Sequence, residues 1–137
     1  MGSRVLIVED EQIIAADLAG QLARAGHDVI GTAIAGEEAV ELADRTQPEI
    51  VLMDVRLAGP MGGPEAARLI QQRTGAGIIF VTAFPDTFVS EAQQLNPPGI
   101  CIGKPFSWKQ LEAALGAFLR GAPSINESAP SDITRRP

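Results

Sequence analysis

Five short, continuously apolar runs divide this chain and constrain its fold more than any other feature. They occupy residues 5–8, 29–34, 50–53, 78–81 and 100–102, and the second is less apolar around Gly31 and Thr32. Runs of this length and uniformity are typical of strands that are buried on both faces, as the strands of a parallel sheet are. The sequence therefore predicts five buried, parallel strands.

A segment with helical periodicity follows each run. In the first segment the apolar residues share one helix face, at Ile14, Leu18, Leu22 and Ala25. Pro64 favours the start of the third helix, and Asp86 is predicted to cap a fourth helix that reaches about residue 95. The last helix is predicted from about residue 107 to residue 120. This (βα)₅ order predicts an α/β fold, a doubly wound, flavodoxin-like sheet of five parallel strands with helices on both faces.

Length and composition predict one folded domain. The chain has 137 residues, of which 45% are hydrophobic and 20% charged, as in an ordinary globular protein. We place the domain at residues 1–121. Residues 122–137 hold several prolines and serines and almost no large apolar side chain, so a disordered tail is predicted there. A tail of this length cannot form a second, output domain.

The charge and residue counts exclude several classes of function. A net charge of −6 repels the phosphate backbone of nucleic acids, so no nucleic-acid partner is expected. No apolar run approaches the length of about 18 residues that suggests a membrane span, and no signal peptide precedes the first run, so we expect a cytoplasmic protein. One cysteine and one histidine exclude an internal disulfide and a zinc site rich in these residues.

Polar residues stand at the carboxyl ends of four of the five apolar runs. They are Glu9, Asp10 and Glu11 after the first run, Asp54 after the third, Thr82 after the fourth and Lys104 after the fifth. Ligands of open α/β sheets bind beyond the carboxyl ends of the strands. The sequence therefore predicts that carboxylates, a hydroxyl and an ammonium group converge at one edge of the sheet.

This set of side chains favours phosphoryl chemistry with a hard cation. Clustered carboxylates repel one another unless a cation lies between them, and oxygen ligands without His or Cys suit Mg²⁺ or Mn²⁺. A carboxylate beside such an ion is a credible nucleophile toward phosphorus, which makes Asp54 the candidate phosphoacceptor. Lys104 is then predicted to pair with a phosphoryl oxygen, and the Thr82 hydroxyl to donate to another.

The constellation closely resembles the response-regulator receiver domain of two-component signalling, over about residues 4–120. The resemblance implies that Asp54 accepts a phosphoryl group from a sensor histidine kinase. It also implies that Asp10 binds the metal directly, Glu9 mostly through water, and Arg56 through its main-chain carbonyl. Thr82 and Lys104 would contact the phosphoryl group, and the Lys104–Pro105 bond is usually cis in this family.

Residues 78–85 and 101–106 are similar to a subset of receivers associated with alphaproteobacterial stress or light signalling and with HWE-type kinases. The resemblance assigns switching and partner contact to five positions: Thr82, Ala83, Cys101, Pro105 and Phe106. Cys101 occupies the position where typical receivers carry Tyr or Phe, and the chain has no tyrosine. The usual switch, in which a threonine and an aromatic ring move together, is therefore not expected here. Output is predicted to depend on Thr82 and the fourth-helix region in a way that differs from this switch.

The leading hypothesis is a stand-alone receiver that is a phosphoacceptor rather than an enzyme. Its output would be binding to a downstream protein, onward phosphotransfer, or acting as a phosphate sink, and a homodimer through helix four, strand five and helix five stays open. The alternative is a receiver-like scaffold whose interactions do not depend on phosphorylation. A flavodoxin-type anion binder conflicts with the acidic residues after the first run. A phosphatase conflicts with Arg56, where such enzymes place an acid–base Asp.

Overall fold

A computed structural model describes residues 2–119 and shows one parallel sheet with helices on both faces. The strands are β1 Arg4–Val8, β2 Asp28–Ala33, β3 Ile50–Asp54, β4 Gly77–Thr82 and β5 Ile100–Gly103. Their order in the sheet is β2-β1-β3-β4-β5, and all pairs are parallel. The predicted fold class is confirmed. The prediction that all five strands are buried is wrong for β2, because this strand lies at the edge of the sheet and only its last residue, Ala33, is fully buried.

The α-helices are α1 Gln12–Arg24, α2 Gly36–Thr46, α3 Gly63–Thr74, α4 Val89–Gln93 and α5 Trp108–Leu119, and a 3₁₀ turn at Pro85–Phe88 precedes α4. Ser107 lies directly before α5 and exchanges two hydrogen bonds with Gln110, which satisfies amide groups at the helix start. None of the helices among residues 2–119 is long and apolar enough to cross a bilayer. The predicted tail at 122–137 lies outside the described residues.

The core consists of two apolar layers, one on each face of the sheet. Successive residues of β3 alternate between them, because side chains of a strand point to opposite faces. Val51 and Met53 pack with α2 and α3, whereas Ile50 and Leu52 pack with α1 and α5. Burial of a side chain of this size contributes about 1.5–3 kcal/mol. The central strand is therefore rigidly held up to its last residue, Asp54.

The prediction for the fourth helix is wrong in its start, its cap and its length. The helix α4 has five residues, and Asp86 lies inside the preceding 3₁₀ turn, where no side-chain cap is made. Pro85 has no N–H and a fixed φ, so the turn already begins at Pro85, and Asp86 is one residue too late to cap it. At the other end, Gln71 accepts a hydrogen bond from the amide of Asn96, and this contact draws the chain away from helical geometry.

Candidate functional site

The four predicted strand ends meet at one edge of the sheet. Asp54 and Thr82 are the last residues of β3 and β4, and Glu9 and Lys104 directly follow β1 and β5. These four strands are consecutive neighbours in the sheet and run in the same direction. Their carboxyl ends therefore bring the polar groups together, as the sequence predicted.

Three carboxylates form the centre of the site. Glu9, Asp10 and Asp54 each offer one oxygen, and these oxygens lie within 4.8 Å of one another. Glu9 and Asp54 are buried, with exposed fractions of 4% and 7%, whereas Asp10 is exposed. Buried carboxylates at this spacing are unfavourable without a neutralising partner, and oxygen donors are the ligands that Mg²⁺ prefers. The residues therefore fit a hard divalent cation.

Lys104 supplies the one ammonium group that the described residues place against these carboxylates. Its Nζ lies 3.2 Å from Oδ2 of Asp54 and 3.5 Å from Oε1 of Glu9. Its main-chain amide donates to the carbonyl of Thr82 over 2.8 Å, which fixes the residue beside the end of β4. Burial lowers the pKa of Lys104, but the charges of Asp54 and Glu9 outweigh this effect, so the pKa lies above its ordinary value.

Glu9 is the carboxyl group that burial perturbs most clearly. Burial raises its pKa from 4.5 to about 7, against the opposing hydrogen bond that the Glu11 amide donates to it. The charge of Asp54 adds to the rise, and the charge of Lys104 opposes it. In the absence of a cation Glu9 therefore binds a proton at a higher pH than an ordinary glutamate does.

Asp54 is oriented by a different group on each oxygen. Oδ2 faces the Lys104 ammonium, and Oδ1 accepts a 3.1 Å hydrogen bond from the amide of Arg56. The carboxylate opens onto a cavity of about 270 Å³, lined by Asp10, Glu11, Asp54, Arg56, Thr82, Ala83, Phe84 and Lys104. A small anionic group entering this cavity meets the carboxylate with the lysine beside it.

Thr82 is buried at the edge of the same cavity. Its Oγ1 accepts a hydrogen bond of 3.1 Å from the amide of Phe84, so the hydroxyl oxygen holds the start of the β4–α4 loop. Phe84 itself was not predicted as a site residue. Its side chain is 59% exposed. The sequence feature that could have indicated its place at the site is its position two residues after a buried strand.

The remaining predicted positions divide between this site and a neighbouring groove. Ala83 lines the cavity, and the Lys104–Pro105 peptide bond is cis, as expected. Phe106 packs beneath the carboxylates against the apolar layer that contains α1 and α5. Cys101 does not line the cavity. It lies in a groove between α4 and β5, where its thiol donates to the carbonyl of Phe88 over 3.6 Å.

Comparison with known proteins agrees with this geometry. The family model described as "Response regulator receiver domain" matches residues 5–116. The phyllosphere-induced regulator PhyR of Methylorubrum extorquens is 33% identical over 120 residues, which make up 87% of this chain and 44% of that protein. The chain spans about half the length of the curated relatives it matches.

Solved structures show the same similarity. The receiver domain of PhyR from Erythrobacter litoralis superposes with a TM-score of 0.76 at 27% identity, covering 96% of this chain and 97% of that one. The receiver domain of the sensor histidine kinase PA1611 from Pseudomonas aeruginosa PAO1 holds a magnesium ion in its active-site cleft. It superposes with a TM-score of 0.70 at 26% identity, covering 88% of this chain and 99% of that one.

The similarity to PhyR supports the narrower resemblance to stress-signalling receivers. Receiver domains are signalling domains that bind Mg²⁺ at an acidic pocket, and the carboxylates at the carboxyl ends of β1 and β3 form such a pocket here. The fold, the pocket and the matched region lead to one conclusion: this chain belongs to the response regulator receiver domain family of two-component signalling.

Proposed function

We propose that this chain accepts a phosphoryl group on Asp54 from the phosphohistidine of a sensor histidine kinase, in a reaction that requires Mg²⁺ or Mn²⁺. The observation that carries the proposal is the placement of the Asp54 carboxylate, which is buried, opens onto the cavity and lies 3.2 Å from the Lys104 ammonium.

The transfer needs no general base. An oxygen of the Asp54 carboxylate attacks phosphorus, the phosphorus–nitrogen bond of the phosphohistidine breaks, and its electron pair returns to the imidazole nitrogen. Lys104 pairs with a phosphoryl oxygen in addition to the two carboxylates that it already contacts. This contact stabilises the negative charge that develops on the phosphoryl oxygen. The Thr82 oxygen already accepts from Phe84, so its hydroxyl hydrogen is the part that turns toward a second phosphoryl oxygen.

We assign the metal to Asp10, Asp54 and the main-chain carbonyl of Arg56, with Glu9 acting mostly through water. When bound, the divalent ion neutralises the carboxylates and the phosphoryl oxygens. The exposed position of Asp10 and the placement of Arg56 on the cavity wall support this assignment. Arg56 also stands where hydrolytic phosphatases place an acid–base Asp, so we propose slow turnover and a signalling role rather than an enzymatic one.

The proposed partners are proteins. The donor is a sensor histidine kinase, of the HWE type by resemblance, and the output is contact with a downstream protein or onward transfer to a phosphotransfer protein. The PhyR of Bartonella quintana, to which the chain is 29% identical, is described as an anti-anti-sigma factor. A homodimer through α4, β5 and α5 is part of the same proposal, as is a cytoplasmic location without nucleic-acid or membrane contact.

Intact-mass spectrometry after treatment with acetyl phosphate tests the proposal. We expect a gain of one phosphoryl group that requires Mg²⁺, is absent in Asp54→Asn and is retained in Asp28→Asn, an exposed aspartate at the start of β2. Loss of the adduct in both variants, or a gain independent of Asp54, would contradict it. If the wild type shows no adduct and binds no beryllofluoride with Mg²⁺, the phosphorylation-independent scaffold becomes the better reading.

A further inference from the structure

The start of α3 approaches the backbone of Asp54 more closely than a side chain would allow. A Cβ atom on Gly63 would lie 2.4 Å from the carbonyl oxygen of Asp54, 2.9 Å from Cα of Val55 and 3.1 Å from the Val55 carbonyl oxygen. All three neighbours are backbone atoms, so none can turn aside as a flexible side chain can. The φ of Gly63 is not positive, so the need for glycine at this position is steric.

This contact acts on the segment that carries the site. The Gly63 amide donates to the Val55 carbonyl over 3.1 Å, which ties the first residue of α3 to the residue after the phosphoacceptor. The next residue is Arg56, whose amide donates to Oδ1 of Asp54. Any displacement of the backbone at Asp54 and Val55 therefore changes both the orientation of the carboxylate and the position of the Arg56 carbonyl.

The opposite side of the β3–α3 loop, residues 55–62, is also packed closely. Ala35 and Ala58 form an isolated parallel bridge between the loop and the residue that precedes α2. A Cβ on Gly36 would lie 2.9 Å from both Cβ and the carbonyl oxygen of Met61. The loop is thus held between α2 and α3, and extra volume at Gly63 is not relieved by a simple outward shift.

We propose that Gly63 is a positioning residue for the metal site. Its missing side chain lets α3 set the backbone from Asp54 to Arg56 in the geometry that binds the divalent cation. The inference rests on the proposed function only for the identity of the ligands, since it concerns metal affinity and not the transfer step.

Gly62 provides a matched control. It lies beside Gly63 in the chain, has φ −80°, and a Cβ there would meet only Cδ of Pro64 at an ordinary 3.8 Å. Mg²⁺ is titrated into ¹⁵N-labelled wild type, Gly63→Ala and Gly62→Ala, and the Arg56 amide resonance is followed. Loss of groups that support metal ligands typically weakens binding by about 10–100-fold, and we expect a loss of this size in Gly63→Ala only.

A purely structural role would lower the melting temperature and leave the Mg²⁺ midpoint of the folded protein unchanged, and that result would overturn the proposal. Equal losses in the two variants would also overturn it. If Gly63→Ala does not fold, Gly36→Ala displaces the same loop from the α2 side. An unchanged midpoint in folded Gly36→Ala would then refute the proposal, because metal affinity must follow the position of the loop.

Acetyl phosphate labelling of the same samples separates this inference from the proposed function. A wild type that binds Mg²⁺ but neither gains a phosphoryl group nor binds beryllofluoride refutes the phosphoacceptor role and leaves the role of Gly63 intact. A labelled wild type together with a Gly63→Ala variant of unchanged affinity refutes only the role of Gly63. A wild type that binds no Mg²⁺ refutes both.

Discussion

Replacing Glu9 with glutamine is expected to stabilise the metal-free protein above neutral pH. Burial raises the pKa of Glu9 to about 7, so the folded state holds this proton more tightly than the unfolded chain does. Between about pH 4.5 and pH 7 the folded state therefore binds more protons than the unfolded state. The free energy of unfolding consequently falls as pH rises through this window and stays low above it. Glutamine has nearly the shape of the protonated acid and no charge to desolvate.

The size of the effect follows from the two pKa values. The rise from 4.5 to about 7 corresponds to about 3 kcal/mol, at about 1.4 kcal/mol for each pH unit. Because Glu9 is only 4% exposed, solvent screening reduces this value little. We expect Glu9→Gln to gain about 3 kcal/mol at about pH 8.5 and about 1 kcal/mol or less at about pH 5. Saturating Mg²⁺ is expected to reduce or reverse the gain, since the cation stabilises the charged carboxylate of the wild type.

Urea unfolding followed by circular dichroism, in EDTA and at both pH values, measures the gain. Glu11→Gln is the matched control, because Glu11 carries the same charge two residues away and is exposed. Its free energy of unfolding should change by less than about 0.5 kcal/mol at either pH. A gain of equal size at the two pH values, or a loss at about pH 8.5, would refute the reasoning from desolvation.

Two further predictions concern other parts of the chain. Gln71 is buried, and its side chain donates to the carbonyls of Ala76 and Pro97 and accepts from the amide of Asn96. The substitution Gln71→Ala removes these three hydrogen bonds and should lower the free energy of unfolding by about 2–3 kcal/mol. The exposed neighbour Gln72 is the control in the same urea titration, and an equal loss in Gln72→Ala would contradict the argument. Burial raises the pKa of the Cys101 thiol to about 11, so alkylation by iodoacetamide at about pH 8 should be about a hundredfold slower than for a free cysteine. Mass spectrometry measures this rate, and a native rate equal to that in urea would show the prediction to be wrong.

The sequence predicted the sheet because its signal is local and strong. The strands β1, β3 and β4 are buried almost throughout, so their side chains are apolar on both faces and no periodicity is needed to find them. The strand β2 lies at the edge of the sheet and is only partly buried, and its run is correspondingly less apolar. The convergence of Glu9, Asp54, Thr82 and Lys104 was predictable for the same reason. Each residue ends or follows a strand, and parallel strands place those ends at one edge whatever their order.

The fourth helix was predicted poorly because its apolar periodicity is weak and because residues outside the helix determine where it begins and ends. Its α-helical part has five residues, too few to be stable alone, and its ends depend on Pro85 and on the contact between Gln71 and Asn96. Phe84 and Gly63 were missed for a related reason. Their roles come from the open cavity and from a close backbone approach, and neither is encoded in the spacing of residues along the chain.

By itself the sequence determined the fold class, the edge of the sheet where the polar groups meet and the residue types that favour phosphoryl chemistry. Only the tertiary structure decided how those groups act on one another. Burial of Glu9 beside Asp54, the 3.2 Å contact between Lys104 and Asp54, and the packing of Gly63 against the Asp54 carbonyl join residues that lie far apart in the chain. Desolvation, charge–charge interaction and steric exclusion depend on distance in space, and these distances exist only once the sheet has assembled and the helices have packed on it.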